Sequence, residues 1–407
     1  MDNKSGSGRT IIAVLITAII SSGVTFAYVN RMYNPESRYF LSFNRNEVEK
    51  SDIDKFSEVW ELLKDNFLYD ADERKMFEGA IAGIARGLND PYTMYYTVEQ
   101  MELLKDYSSS TYVGVGLIVN ENKDGILEVV EPVKNGPAFS AGIMKGDLII
   151  RVNGEDITLG DIDFVIGKIK GEEGSEVIVT TYRPSEYKYI DFKLIRTKIH
   201  LPSVKSDILE TGIGYIRISM FDTMVANDFY NELNALLKKG IKGLVLDLRD
   251  NPGGSYDQVV SIADMLLPDA VILYTEDKSG NRKYEKSKSS HLNIPLTVLV
   301  NGHSASASEV LAGALQDNGR AEIVGTQTFG KGVVQVIVPL DDGSGLKMTI
   351  SGYYTPAGHI VQGVGITPDR VVEQEKEYEG SPVSVIPTEK DYQLQAALEV
   401  LKGKMKN

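Results

Sequence analysis

The residues best suited to covalent chemistry fall in three short segments of the C-terminal half. The first, Asn301-Gly302-His303-Ser304-Ala305-Ser306-Ala307-Ser308-Glu309, leaves the apolar run Leu296 to Val300 and enters a helical pattern. A helix start offers unpaired N–H groups and the positive end of the dipole, both of which favour developing negative charge. Ser306 is therefore a candidate nucleophile. Ser306 and Glu309 also fit the S-x-x-E capping box, and the segment taken alone reads first as a helix cap.

The second segment, Gly330-Lys331-Gly332, lies among Phe329, Val333, Val334, Val336 and Ile337. Partial desolvation there disfavours the ammonium form and lowers the lysine toward the range in which it can take a proton from a serine hydroxyl. The alternative is a snorkelling lysine on a glycine turn. The third, Arg249-Asp250-Asn251-Pro252-Gly253-Gly254, follows the strand-like Leu244 to Leu248. Its glycines permit close backbone approach and an N–H aimed at an oxyanion, or simply a turn.

Three other patterns are set aside. Gly325 to Lys331 satisfies G-x-x-x-x-G-K, but Gly332 stands where a magnesium-binding Ser/Thr belongs and a β-rich run replaces the helix, so nucleotide binding is not expected. Gly114-Val115-Gly116 lacks the third glycine of a dinucleotide fingerprint. His303, close to Ser306 in sequence but without a second triad signature, reads as a loop residue.

These segments need a scaffold. After Ile199 strands and helices alternate: strands at Gly214 to Ile218, Gly243 to Leu248, Leu296 to Val300, Glu322 to Val324, Val333 to Val338 and Lys347 to Tyr354, with helices at Thr223 to Lys239, Ser255 to Leu266 and Ser306 to Gln316. That order predicts an α/β core. Between Val113 and Thr197 the pattern is short strands and glycine turns, including one strand over Val115 to Val119, with two helical pieces at Pro137 to Ala141 and Gly160 to Ile169. Glu47 to Lys105 is helical in rhythm, broken at Asp90-Pro91 and resuming as helix from Tyr92 to Leu104. Lys390 to Lys404 predicts a final helix that packs on the body or on a second subunit.

A formal net charge of -14 and a pI near 4.9 argue against nucleic acid as a partner. The absence of cysteine excludes disulfides, a thiol nucleophile and thiolate metal sites, and the four histidines are too scattered for a metal centre. Neither a metal nor a cofactor is expected. Ile11 to Val29 is a 19-residue stretch without charge, preceded by Lys4 and Arg9 and followed by Arg31. It is long enough to span a bilayer, and Thr25-Phe26-Ala27 fits the site of the alternative, a cleaved signal peptide, only poorly, which predicts an uncleaved membrane anchor and an extracytoplasmic body.

The order of the three segments, with Gly214-Tyr215-Ile216-Arg217-Ile218 before them and Tyr354-Thr355-Pro356-Ala357-Gly358 and Gly363-Val364-Gly365-Ile366-Thr367-Pro368-Asp369 after, resembles the carboxyl-terminal processing peptidases, the tail-specific serine proteases of family S41. The stretch from Gly114-Val115-Gly116-Leu117 through Gly136-Pro137-Ala138 to Gly142-Ile143-Met144-Lys145-Gly146-Asp147-Leu148-Ile149 resembles a PDZ domain of the bacterial protease type. The resemblance implies an α/β (α+β) peptidase core with an inserted PDZ domain and a helical N-terminal segment, to which the apolar stretch adds one transmembrane helix. The implied division is a cytoplasmic 1–10, an anchor at 11–29, a helical segment at 30–106, the PDZ at 107–197, the peptidase core at 198–372 and a helical end at 373–407.

By motif the resemblance makes Ser306 the nucleophile, Lys331 the general base and Gln335 the residue that positions the lysine. Four residues of extended strand would separate Lys331 and Gln335 by about 13 Å, so a bend near Gly332 is required. The oxyanion hole is implied to be the N–H of Ala307 with that of Gly253 or Gly254. Tyr112, Val113, Gly114, Val115, Gly116 and Leu117 form the implied carboxylate-binding loop of the PDZ domain, and Lys170 sits where a gating basic residue occurs. The expected substrates are proteins with free C-termini, with a homodimer through the terminal helices. A catalytically silent PDZ adaptor is the alternative.

Overall fold

The computed structural model describes residues 50–406 apart from 110, 124, 159–161, 211, 289–290 and 379. The expected anchor at 11–29 lies outside the described residues, among which no helix is long and apolar enough to cross a membrane. The chain divides into two units, Met1–Gly79 and Ala80–Asn407. In the first, spacing at three and four residues gives helix α1 (Lys50–Asn66), and helix α2 (Glu73–Arg86) begins. Trp60 packs between Phe56 and Phe77, with centroids at 6.2 and 6.3 Å.

In the second unit Tyr92 to Leu104 is not one helix. Strand β1 (Met94–Tyr96) precedes helix α3 (Val98–Ser109). Asp90 explains the break, because its carboxylate accepts from Tyr92 N at 3.1 Å and Thr93 Oγ1 at 2.6 Å, a turn that competes with helix. The expected strand Val115 to Val119 is also split. Gly116 has φ 77, so β2 (Thr111–Gly114) and β3 (Leu117–Glu121) join different sheets.

The small β domain continues with β4 (Leu127–Pro132), α4 (Pro137–Ala141), β5 (Leu148–Val152), β6 (Glu155–Asp156), α5 (Ile162–Ile169), β7 (Glu176–Arg183) and β8 (Lys188–Ile195). Its sheet runs β3-β4-β5-β7-β8 around Val115, Val129, Ile149, Val165, Val177 and Val179, all fully buried. Strand β9 (Thr197–His200) pairs with β2, so the domain enters and leaves through one two-stranded ribbon.

The core sheet is built from β10 (Val204–Glu210), β11 (Ile213–Ile218), helix α6 (Val225–Lys238), β12 (Gly243–Asp247), helix α7 (Tyr256–Leu266), β13 (Val271–Asp277), β14 (Arg282–Lys286), β15 (Leu296–Val300), helix α8 (Ala307–Asp317) and β16 (Glu322–Gly325). The chain ends with β17 (Val333–Pro339), β18 (Gly345–Tyr354), β19 (Arg370–Val371) and helix α9 (Tyr392–Met405). The main sheet runs β10-β11-β12-β15-β16-β19 and is parallel from β11 onward. Helices cover both of its faces, which is why β12 and β15 are apolar at nearly every position. Ile216, Leu244, Leu246 and Val298 face α6, α7 and α8, whereas Val245, Leu299 and Val324 face Leu394, Leu398 and Leu401 of α9. The final helix thus packs on the body. A second sheet, β1-β18-β13-β14 with β17 on β18, lies beside the first.

Helix α9 is fastened by a buried charge cluster. Arg249, fully buried, bonds Asp247 at 2.6 Å and Asp391 at 2.7 and 2.8 Å, while Asp391 also caps α9 by accepting from Leu394 N. Burial would raise the Asp391 carboxyl, but the bonds and charge of Arg249 outweigh it and hold the carboxyl below the usual range. This contribution is present at neutral pH and is lost as pH falls through the lowered value. Arg249→Met, which strands two buried carboxylates, is expected to cost about 3–5 kcal/mol in urea unfolding. An unchanged midpoint and slope would contradict it.

Candidate active site

β12 and β15 are neighbouring parallel strands, and the segments around Gly253 and Ser306 leave their C-terminal ends, the edge at which open α/β sheets bind ligands. Buried Asn251 binds the two loops together. Its carbonyl accepts from Ala305 N at 3.0 Å and Ser308 Oγ at 2.9 Å, and its side-chain oxygen accepts from Gly253 N at 2.9 Å. A Cβ on Gly253 would lie 2.7 Å from Ala305 O and 2.8 Å from Ser306 Cβ, so only glycine fits. The Gly253 N–H is spent on Asn251, whereas the N–H groups of Gly254 and Ala307 have no described acceptor. Both line a cavity of about 240 Å³ together with Ser306.

Ser306 does occupy the N-cap position of α8, but its backbone lies at φ 55, ψ -113, where an ordinary cap is extended. Such strain persists only where the surroundings impose it. Here the imposing group is Glu309, which is fully buried. Its Oε2 accepts from Ser306 N at 2.8 Å and Lys331 N at 2.9 Å, and its Oε1 from Thr328 Oγ1 at 2.6 Å and Gly330 N at 2.7 Å. One carboxylate thus fixes the backbone of both expected catalytic residues. From sequence Glu309 is visible only as the far half of a capping box. Tyr353 adds a second tie, its hydroxyl donating to Lys331 O at 2.6 Å and lying 3.0 Å from Ser306 O.

Lys331 sits between two glycines because the backbone has no room on either side. A Cβ on Gly332 would come within 2.2 Å of Gln362 N, and Gly330 takes φ 89 against Val364. Burial, reinforced by Lys347, lowers the Lys331 amine below its ordinary value, while Asp90 and Glu309 pull weakly the other way. The amino group rests 4.8 Å from the centroid of the Tyr92 ring. No described hydrogen bond joins it to Ser306. Strand β17 follows Gly332 directly.

Between Lys331 and Gln335 the described irregularity falls later than Gly332, at the Val334–Gln335 step. Gly332 N donates to Gln362 Oε1 at 2.8 Å, and β17 carries a bulge between Val334 and Gln335. Bulges re-aim side chains. Gln335 lines the Ser306 cavity, but its amide donates to Val333 O at 3.2 Å rather than to Lys331. His303 is exposed and its Nδ1 faces Asp250 at 3.4 Å.

In the β domain the implied carboxylate loop is divided. Tyr112, Val113 and Gly114 belong to β2, Val115 and Gly116 make the turn, and Leu117 opens β3. The Tyr112 ring lies over Gly114, where a Cβ would meet it at 2.6 Å, and burial raises its phenol while N–H groups of Leu117 and Gly116 partly offset this. Lys170 Nζ stands 5.6 Å from that ring. The structure thus gathers Tyr112, Gly116, Leu117 and Lys170.

A strained serine beside unpaired N–H groups and a desolvated lysine can attack a carbonyl and hold the oxyanion that forms, the chemistry of serine hydrolases. Residues 212–372 match peptidase family S41, residues 128–183 match a PDZ domain, and residues 18–100 match the activating protease CtpB N-terminal domain. A carboxy-terminal-processing protease of Bartonella bacilliformis is 35% identical over 354 residues, 85% of this chain and 81% of the relative. The carboxy-terminal processing protease CtpB of Bacillus subtilis is 35% identical over 338 residues, 82% and 70%. A putative S41 protease from Bacteroides fragilis shares the fold at a TM-score of 0.50 and 16% identity, covering 85% of this chain and 97% of that one. The chain belongs to the carboxy-terminal processing proteases of peptidase family S41. It is a PDZ-containing serine peptidase with a mixed α/β core.

Proposed function

We propose that this peptidase cleaves extracytoplasmic proteins near free C-termini, with Ser306 as nucleophile and Lys331 as general base. The observation that carries the reading is the convergence of Ser306 N–H and Lys331 N–H on one Glu309 oxygen, beside the cavity lined by Gly254 and Ala307. Ser306 Oγ attacks the scissile carbonyl carbon as its proton passes to neutral Lys331 Nζ. The Ala307 and Gly254 N–H groups receive the oxyanion. Lys331 then returns the proton to the leaving amine and activates water for deacylation. Gln335 positions the lysine once its amine turns into the cavity.

The PDZ domain captures the terminal carboxylate at the Gly116 and Leu117 N–H groups, displacing the Tyr112 phenol that they hold, with Lys170 as the nearby cation that couples binding to activity. Residues 11–29 anchor the chain, supported by their length and lack of charge. Dimerisation runs through the N-terminal helices. Of the terminal helices, α1 leaves Phe56, Val59, Leu63 and Phe67 exposed, whereas α9 buries its stripe. The domains divide at residues 30–106, 107–197, 198–372 and 373–407, with β1 in the first of these ranges.

The test is a protein substrate with a free or an amidated C-terminus at sub-saturating concentration. Losing a charge-assisted contact is expected to slow cleavage about tenfold or more. Gly116→Val, which forbids the φ of 77 found there, is expected to mimic amidation while a fluorophosphonate still labels Ser306. Equal rates for both substrates would remove the PDZ from C-terminal selection.

A further inference from the structure

The Asp90-Pro91 break in the helical segment has a place in the site. Asp90 folds the turn that presents Tyr92, and Thr93, nearly buried, accepts from Thr349 N at 3.2 Å. β1 then pairs Met94 with Lys347 on β18. The same strand supplies Tyr353, whose hydroxyl and N–H hold Lys331 O and Gly332 O at 2.6 and 2.9 Å. The Tyr92 ring is therefore mounted on the strand that holds the lysine segment, and it faces Lys331 Nζ at 4.8 Å. An ammonium over an aromatic face is attracted by the ring quadrupole, a neutral amine much less so.

We propose that Tyr92 is a positioning residue for the lysine base, its ring face holding the Lys331 ammonium in the resting enzyme and releasing it toward Ser306 as the amine becomes neutral. The proposal rests on the reading of Lys331 as base. The other charged groups that act on the amine among the described residues are Lys347 on β18, Asp90 in the turn and Glu309 on α8. Lys347 works against the ammonium and the two carboxylates for it. The ring adds an attraction that depends on π-electron density rather than on net charge, so it can be titrated without changing any charge.

The experiment replaces Tyr92 by phenylalanine and by mono-, di- and trifluorophenylalanine, which keep the shape and progressively weaken the quadrupole. Two readouts are followed in the full chain: the pH dependence of kcat/KM on a quenched fluorescent peptide, and the titration of the Lys331 amine by NMR in lysine-labelled protein, assigned by its absence from Lys331→Ala. The phenylalanine form is expected to resemble the parent. Along the fluorinated series both midpoints are expected to move stepwise to lower pH, because a weaker hold on the ammonium lets the proton leave sooner. Tyr92→Leu is expected to shift further and to lose about tenfold in kcat, since the amine is no longer held in one place. Flat midpoints across the series, with Lys331→Ala inactive, overturn the role of Tyr92 and leave the base reading intact. An NMR midpoint that moves while the activity profile stays fixed overturns the base reading and the proposal with it.

Discussion

Lys331→Arg is expected to abolish peptide cleavage while the protein remains folded. A guanidinium keeps the positive charge but cannot be deprotonated in the working pH range, so it cannot accept the serine proton. The backbone of residue 331 is held by Glu309 and Tyr353 through N–H and C=O groups that substitution leaves in place. General-base loss of this kind costs about 10²–10⁴-fold, and Ser306→Ala is expected to leave no measurable acyl transfer. Circular dichroism and urea unfolding check folding, and peptide cleavage checks the base. Turnover by Lys331→Arg within tenfold of the parent would show that another group takes the proton. His303→Ala is the control and is expected to cleave nearly normally, because its imidazole faces Asp250 at the surface.

Glu309→Gln is expected to be almost as damaging, by a different route. All four contacts to Glu309 are donations, which an acceptor-only carboxylate satisfies. A glutamine amide turns one oxygen into a donor, so two buried N–H or O–H groups meet an NH₂ whichever way the amide points. Each unsatisfied buried donor costs about 1–3 kcal/mol, which for two predicts a loss of about 2–6 kcal/mol in stability. The backbone at Ser306, at φ 55, loses its tether, and activity is expected to fall at least about 10²-fold through misplacement of the nucleophile. The discriminating measurement is fluorophosphonate labelling of Ser306 below the unfolding transition. Labelling at the parental rate by a destabilised Glu309→Gln would restrict Glu309 to folding alone.

These two expectations differ in how far sequence reaches. The chemistry-bearing segments, their order, the helices α6, α7 and α8 and the parallel strands between them were legible because each is a local pattern: apolar runs of strand length, helical spacing, and glycines flanking a functional group. Ser306 and Lys331 stand out for that reason. β1 and the pair β13–β14 did not. Three residues, Met94–Tyr96, carry too little periodicity to declare a strand, and what makes them one is the partner at Lys347.

The site itself was decided by tertiary structure wherever two distant segments meet. Which glycine keeps a free N–H depends on Asn251 accepting from Gly253. The direction of Gln335 depends on a bulge set by pairing with β18. Glu309 is a capping residue in sequence and a junction in space, since three of its four donors come from Thr328, Gly330 and Lys331. The sequence determined by itself which side chains are chemically able to do the work and which local backbone carries them. Only the packed sheet decided which of them share a cavity and where the lysine amine rests, because those distances depend on long-range pairings that have no local signature.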